Sequence, residues 1–540
     1  MIRREFFDRL QGKSTAPQRG AVSVQAPTPP LNISAGLEPY GEVLTQQTAA
    51  HLLRRSGYGA SKTRADELTG MSPGEAVDEI VDAALSLPLP EPPPWANSAP
   101  PNPTTMPTEF EQYLQDNNEW ALEYRYSWTE ELFSGGLRER LALFWHDHFV
   151  TNISAYILSP FAVQYLTMLR THCLGDFKQF VFDVGVDPGM LVYLNGTDNE
   201  AGAPNENYAR ELLELFTMGQ ERNDGTVNYT QGDIEEIARA LTGWKTDYFG
   251  LTSVFNPFPG SFFDDTDKTI FGLTGNYGYS DVIDIVFNQR ADAIAEFICR
   301  KIYREFVYDG ADEQIVADLA LIFKTNDFQI EPVVRTLLKS AHFFDSQVIG
   351  ARVKTPVELL TGILVESEAS LPEGTFSLAA RICFFLEQIL LNPPSVEGWK
   401  THHAWISTTS FPIRWLVPDF ILTGGTGIDL LDLIPLAEKL YDPQSPLAAF
   451  YLPLALAEYF IPVPVSELDI QPIDGGFAGD LVNNPIPQEI ENGPEYVKNL
   501  AKAFLGGTPW YEWFLYQDNA NLRIFVYLRY LLQTPEYQLT

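Results

Sequence analysis

The stretch "GAPNENYARELLELFTMG", residues 202–219, indicates the fold class because it has the features of an amphipathic helix with a marked beginning. Asn205 occupies an N-cap position. Apolar residues then recur every three or four positions, at Tyr208, Leu212, Leu215 and Phe216. The other side carries Glu206, Arg210 and Glu214 at i, i+4 and i+8, a spacing that predicts a surface ion-pair ladder.

Further helix signals recur along the chain. In "SPGEAVDEIVDAALS" Ser72 and Pro73 take the N-cap and first helical positions, and in "TQGDIEEIARALTGW" Thr230 and Asp233 form a capping pair. Residues 245–280 lose this period and are expected to form a long ordered loop with a short hairpin. With no alternating strand series, the sequence predicts a mainly α, large multi-helix domain with long irregular loops and a minor hairpin.

The composition of the chain changes at several points, which predicts six segments. They are an N-terminal arm (1–44), N-terminal helices (45–86), a proline-rich linker (87–107), a helical core (108–420), an elaboration with irregular loops (421–515) and a C-terminal helix packing on the core (516–540).

The chain is strongly acidic, with 71 acidic and 36 basic residues and a formal net charge of −35. Such a charge repels phosphate backbones, and no basic patch interrupts it, so we expect no nucleic-acid partner. Three widely separated cysteines cannot form a disulfide framework and are expected to be buried thiols.

The N-terminus, "MIRREFFDRL", has the paired arginines Arg3 and Arg4 of a twin-arginine export signal. The apolar stretch that should follow is reduced to "AVSVQA", so a short basic arm is the favoured interpretation and the compartment stays open. No run of about 18 apolar residues occurs, and we therefore expect no membrane span.

Two histidines flank an aspartate in "FWHDHFVTN", residues 144–152. If residues 137–152 are helical, His146 and His148 point to nearly opposite sides, so they cannot chelate one metal as an i, i+4 pair can. His148 is then either a hydrogen-bonded core residue or a ligand or general base completed from elsewhere, and Asp147 is a cleft candidate beside it.

The helix at 206–214 offers partners for His148. Asn207, Glu211 and Glu214 would supply oxygen ligands, so His148, Asn207, Glu211 and Glu214 form a candidate set for a divalent cation. As acid–base groups, Glu211 and Glu214 would act with His148 while Arg210 positions an anionic group. The alternative is structural, with Asn205 as a cap and Glu206 in surface ion pairs.

The segment "VEGWKTHHAWIS", residues 396–407, is an irregular loop rich in Trp and His, with Trp399, His402, His403 and Trp405. Such a loop either lines a cleft or is anchored by its tryptophans to the helical body. The one GxSxG string, "GMSPG" at residues 70–74, has Ser72 as an expected helix N-cap and is not a strand-to-helix nucleophile elbow. The chain also has no P-loop and no strand-preceded GxGxxG. Together these features argue against the familiar serine hydrolases, nucleotide-triphosphate enzymes and dinucleotide dehydrogenases.

Several motifs together resemble the bacterial family called domain of unknown function 1800. They are "HLLRRSGYGAS" (51–61), "LALFWHDHFVTN" (141–152), "DPGMLVYLNG" (187–196) with the opening stretch, "YTQGDIEEIARALTGW" (229–244), "VKTPVELLTG" (353–362), "NPPSVEGWKTHHAWIS" (392–407) and "LLQTPEYQ" (531–538). The resemblance runs from about residue 45 to the end and is weak over 421–515. Many members have a His-Asp pair where this chain has Phe263 and Asp264.

The resemblance implies an exported helical protein, periplasmic, extracellular or at the cell surface, that acts with a sulfatase- or phosphatase-like partner. Three functions stay open: an accessory or partner-binding protein, which is favoured; a metal-assisted or acid–base hydrolase using His148 with Glu211 and Glu214; and a structural component of a surface assembly. A shared cavity with shifted pKa values would favour the enzyme, and a separate exposed apolar patch would favour the accessory protein.

Overall fold

The structure, a computed structural model, describes residues 28–156, 158–258, 262–424, 430–470 and 476–540. The mainly α prediction is confirmed. In the described ranges the helices are α1 Gln46–Ser56, α2 Lys62–Leu68, α3 Pro73–Ser86, α4 Pro107–Ser134, α5 Gly136–His148, α6 Ile153–Tyr156, α7 Ser159–His172, α8 Phe177–Val186, α9 Pro188–Tyr193, α10 Glu206–Glu211, α11 Gln231–Ala240, α12 Tyr279–Gln289, α13 Ala291–Phe306, α14 Glu313–Thr325, α15 Ile330–Lys339, α16 Pro356–Ser367, α17 Thr375–Phe385, α18 Ser410–Leu422, α19 Ile434–Leu440, α20 Ala448–Phe460, α21 Gln488–Glu491, α22 Glu495–Leu505 and α23 Ala520–Leu532.

The β structure in the described residues consists of two hairpins inside the segment predicted as a long loop. β1 (Trp244–Asp247) pairs antiparallel with β2 (Thr252–Phe255), and β3 (Lys268–Ile270) pairs with β4 (Leu273–Gly275). The sequence thus predicts the hairpin character of this segment, although it indicates one hairpin where two form.

The predicted helix starts are confirmed where capping chemistry is local. Thr230 and Asp233 form a reciprocal capping box at α11, and Ser72 forms one with Glu75 at α3, with Pro73 in the first turn. These contacts join residues three apart, so neighbouring sequence alone determines them.

Helix α5 is buried on nearly every side, and it packs against α1, α3, α4 and α7. It ends at His148, so the expectation of helix to residue 152 is wrong by four residues. The chain leaves the helix at Phe149, whose ring packs against Phe180 at 4.8 Å and Phe216 at 5.5 Å between centroids. The helix therefore ends at the point where this aromatic ring packs into the core.

Helix α10 continues directly into a π-helix, Leu212–Thr217. The wider π turn changes the side-chain phase, so residues beyond 211 no longer follow i, i+4 spacing. Arg210 pairs with Glu206 as predicted, whereas Glu214 accepts a hydrogen bond from the Tyr229 hydroxyl at 3.3 Å.

One continuous apolar core extends from Leu44 in the N-terminal part to Tyr537 near the C-terminus. The three cysteines, Cys173, Cys299 and Cys383, are buried and free. The six-segment division stays a prediction, and the twin-arginine stretch lies outside the described residues. None of the helices in the described ranges combines the length and apolar character needed to cross a bilayer.

Candidate functional site

His148 is a buried side chain with both ring nitrogens in use. Its Nε2 lies 3.0 Å from the carbonyl oxygen of Phe216, and its Nδ1 lies 2.9 Å from Nζ of Lys301. Because a carbonyl only accepts, Nε2 carries the proton and Nδ1 accepts from the lysine. Burial, reinforced by the charge of Lys301, holds the pKa of His148 well below its usual 6.5, so the ring is neutral.

The partners of His148 come from a helix end and a neighbouring helix. Phe216 and Leu215 are near the end of the π-helix, where the last carbonyls lack partners in the helix. The carbonyl oxygen of Phe216 accepts a hydrogen bond from His148. The carbonyl oxygen of Leu215 lies 3.4 Å from Nζ of Lys301, a residue of α13. The helix end thereby anchors both side chains.

His146 points to the other side of α5, as the i, i+2 spacing predicts. It is fully buried among the rings of Trp128, Tyr165 and Trp399, at centroid distances of 5.5, 5.8 and 5.4 Å. Burial lowers its pKa to about 3, so this imidazole stays neutral at physiological pH.

Asp147 and Lys301 both line a cavity of about 290 Å³ beside His148. Oδ1 of Asp147 accepts a hydrogen bond from the backbone N–H of Trp399 at 2.7 Å. Burial raises the pKa of Asp147 to about 7, and burial lowers the pKa of Lys301 to about 8, while each charge partly offsets the shift of the other. Both groups therefore exchange protons near neutral pH, as acid–base catalysts do.

The loop at 392–407 closes over this side of α5 because it contains a glycine at the contact. Gly398 has φ +88, and a Cβ there would lie 2.3 Å from Oδ1 of Asp147. Only glycine permits both this backbone conformation and this approach. Trp399, His402 and Trp405 of the same loop line the cavity, and the ring of His403 contacts that of His402 in a tilted arrangement, with centroids 3.8 Å apart.

A network of arginine and glutamate side chains forms another part of the cavity wall. Nε of Arg140 lies 2.5 Å from Glu305, and its Nη2 lies 2.6 Å from Glu358. Arg352 stands 3.7 Å from each of the same two carboxylates. The pKa of Glu358 is lowered to about 2 although burial opposes the shift, because Arg140 and Arg352 stabilise the ionised form.

The second predicted group of residues lies on α10 and the π-helix. Asn205 caps α10 by accepting from the backbone N–H of Asn207, and Arg210 contacts Glu206 and Gln231. Neither these residues nor Glu211 and Glu214 belong to the cavity lining within the described part of the chain, although His148 does. The structure brings His148 together with Asp147 and Lys301 instead.

A metal site at His148, Asn207, Glu211 and Glu214 stays a prediction. Throughout the ranges that the structure describes, no group of three His, Cys, Asp or Glu side chains is arranged to hold a metal ion. His148 would also have to give up the carbonyl or the lysine to become a ligand.

The sequence profile of the family described as "Protein of unknown function (DUF1800)" matches residues 51–539, nearly the whole chain. The chain belongs to this family. The match includes the segment 421–515, over which the motif resemblance is weak. No curated protein and no solved structure matches the chain significantly.

Six residues of the cavity wall in this DUF1800 protein were not predicted from the sequence: Tyr58, Arg140, Lys301, Glu305, Arg352 and Glu358. A usable signal is present in α5, where Arg138, Glu139 and Arg140 stand in a helix whose apolar residues occur all round. Charged side chains in such a helix must find partners in the interior. Which partners they find depends on tertiary packing. Glu305, the nearer of the two partners of Arg140 along the chain, is 165 residues away from it.

Proposed function

We propose that the protein is an enzyme that performs general acid–base chemistry on a small molecule bound in the cavity beside α5. The observation that carries the proposal is the placement of Asp147 and Lys301 on one cavity wall, with pKa values of about 7 and about 8. A carboxyl group and an amine with these values supply one proton donor and one acceptor near neutral pH. Asp147 and Lys301 are the catalytic residues of this proposal.

His148 is a positioning residue in the same account. Its neutral ring accepts a hydrogen bond from Lys301 while it donates to Phe216, so it fixes the amine without competing for its proton. The sequence expectation made His148 the proton carrier with Glu211 and Glu214. The cavity wall favours Asp147 in the place of those glutamates.

The titration of Lys301 tests the pairing. Trace acetylation with acetic anhydride across a pH series, followed by peptide mass spectrometry, should give a midpoint near pH 8 for Lys301. In Asp147→Asn the midpoint should fall further, because the lost carboxylate favours the charged amine. Lys324 of α14, whose amine pairs with the exposed Asp292 at the surface, is the comparison amine. A midpoint at the ordinary 10.5 that Asp147→Asn leaves unchanged would contradict the proposal.

A second candidate function, partner binding at the cell surface, has its own observation. Helices α17, α18 and α23, of which α18 packs against the other two, carry large exposed apolar side chains: Phe384, Phe385, Phe411, Trp415, Leu416, Phe420, Leu522 and Val526. Large apolar side chains exposed on neighbouring helices typically mark an interaction site. We propose that this surface, named the α18 surface here, binds a protein partner, with the sulfatase- or phosphatase-like protein of an exported system as the first one to test and a surface assembly as the alternative.

A photo-crosslinking amino acid at position 415 tests the second candidate in the native cell. We expect a specific adduct with one partner, lost when Phe411 and Phe420 are replaced by serine. The same amino acid at Leu321, an exposed apolar residue on the distant helix α14, is the control. Equal adducts from both positions would contradict partner binding at the α18 surface.

A further inference from the structure

A second cavity, of about 500 Å³, lies between the N-terminal helices and the C-terminal part of the chain. Its walls come from α1, α2, α19, α20 and α22 and from residues 461–466. It shares no lining residue with the cavity beside α5. A ligand of this second cavity is therefore separate from the substrate of the acid–base chemistry proposed above.

The lining of the second cavity is mainly apolar. Residues 461–465, "IPVPV", contribute five successive apolar side chains, and Tyr496 of α22 adds an aromatic ring. Helices α1, α2 and α20 contribute the alanines Ala50, Ala65 and Ala455, whose short side chains leave space between the elements. Apolar cavities of roughly 300–1,000 Å³ with a few polar groups are typical of small-molecule sites. The second cavity has both the size and the lining of such a site.

Three charged side chains belong to this lining within the described part of the chain: Arg54, Lys62 and Glu458. Arg54 is paired with Glu366 at 2.6 Å, and Lys62 is paired with Asp66. Neither of these two acidic partners lines the cavity. The positive charges of the lining are therefore already balanced from outside it.

Glu458 is the charge that the described residues leave unbalanced. It is the only charged residue of α20, it is exposed, and its carboxylate has no ion pair or hydrogen bond to any described residue. Burial nevertheless raises the pKa of Glu458, and no positive charge offsets the shift. The imidazole of His51 in the same lining adds no charge, because burial, reinforced by Arg55, holds its pKa well below the usual 6.5.

We propose that the second cavity binds a small molecule with an apolar body and a positively charged ammonium group, which pairs with Glu458. The apolar lining removes the body of this molecule from water. A carboxylate that loses hydration without gaining a partner is stabilised by a cation and destabilised by an anion, so the charge of the ligand follows from Glu458. The proposal is independent of the chemistry proposed beside α5.

Three probes that share a six-carbon chain and differ in the head group test this inference: hexylammonium, 1-hexanol and hexanoate. Isothermal titration calorimetry at pH 7 and constant ionic strength measures the Kd and the stoichiometry of each probe. We expect one hexylammonium to bind per chain, with a Kd about tenfold below that of 1-hexanol, because its hydrogen bond to Glu458 is assisted by charge. Hexanoate should bind more weakly than either.

Three variants locate the binding. Glu458→Gln should raise the Kd of hexylammonium to that of 1-hexanol and leave the Kd of 1-hexanol unchanged. Glu467→Gln removes an exposed carboxylate nearby that is outside the lining, and this control should leave all the values unchanged. Ala455→Leu fills part of the cavity and should weaken the binding of both hexylammonium and 1-hexanol.

Each alternative result has a definite meaning. Equal Kd values for the three probes in the wild type would contradict the cationic group. A preference for hexylammonium that survives in Glu458→Gln would contradict the proposed ion pair, because the net charge of −35 would then account for the attraction. Binding that Ala455→Leu leaves unchanged would place the probes outside the second cavity and would contradict the site itself.

Discussion

Glu358→Gln lowers the free energy of unfolding by about 3–5 kcal/mol, the cost of breaking a buried ion pair by removing one partner. Glu358 is 3% exposed, and its carboxylate faces Arg140 at 2.6 Å and Arg352 at 3.7 Å. The amide that replaces it brings an NH₂ group or a neutral oxygen to the guanidinium groups. Arg140 and Arg352 then share Glu305 alone, with Arg55 close by.

The matched control is Glu67→Gln, which removes a carboxylate from a surface pair with Arg64. Exposed pairs contribute about 0–1 kcal/mol because water and salt screen them. Chemical denaturation of the wild type and the two variants gives the comparison. A loss for Glu358→Gln no larger than that for Glu67→Gln would show that the arginine cluster does not depend on this carboxylate.

The stabilising contribution of Glu358 also depends on pH in a defined direction. The pKa of Glu358 is about 2 in the folded protein against an ordinary 4.5, so the folded state favours the ionised form. Its contribution is fully present above pH 4.5 and is lost as the pH falls towards about 2. The stability difference between the wild type and Glu358→Gln should therefore shrink in that window.

Helices and caps follow from the sequence because their causes are local. The capping boxes at Ser72 and Thr230, the cap at Asn205 and the opposite directions of His146 and His148 depend only on residues within about one turn. The π-helix after Glu211 is different, since the same apolar spacing fits an α-helix, and only the packed structure shows the wider turn.

The site was less predictable because its residues meet through tertiary packing. His148 was singled out, yet its partner Lys301 is 153 residues away, and the lysine has no local sequence feature that marks it. Asp147 is contacted by a loop that is distant in the sequence, and this loop can come so close only because residue 398 is a glycine. Glu358 stood inside a recognised motif, but its arginine partners could not be inferred from that motif.

Acid–base catalysis at the cavity predicts the largest effect on activity. Lys301→Met and Asp147→Asn should each lower kcat by about 10²–10⁴-fold, the usual contribution of a positioned acid or base. Both side chains line the cavity, and the variants change little else, because Met approximates the length of Lys and Asn retains the oxygen that accepts from Trp399. Lys324→Met and Glu214→Gln are the matched controls; the second also tests the sequence expectation for that glutamate.

Turnover is the measurement that tests the central claim most directly. Wild type and the four variants, each checked for a native thermal transition, are assayed against small carboxylate and phosphate esters, thioesters and amides. We expect the wild type and the two controls to turn over at least one compound, and Lys301→Met and Asp147→Asn to do so at a rate lower by about 10²–10⁴-fold. Undiminished turnover in Lys301→Met and Asp147→Asn, or a loss confined to Glu214→Gln, would contradict it.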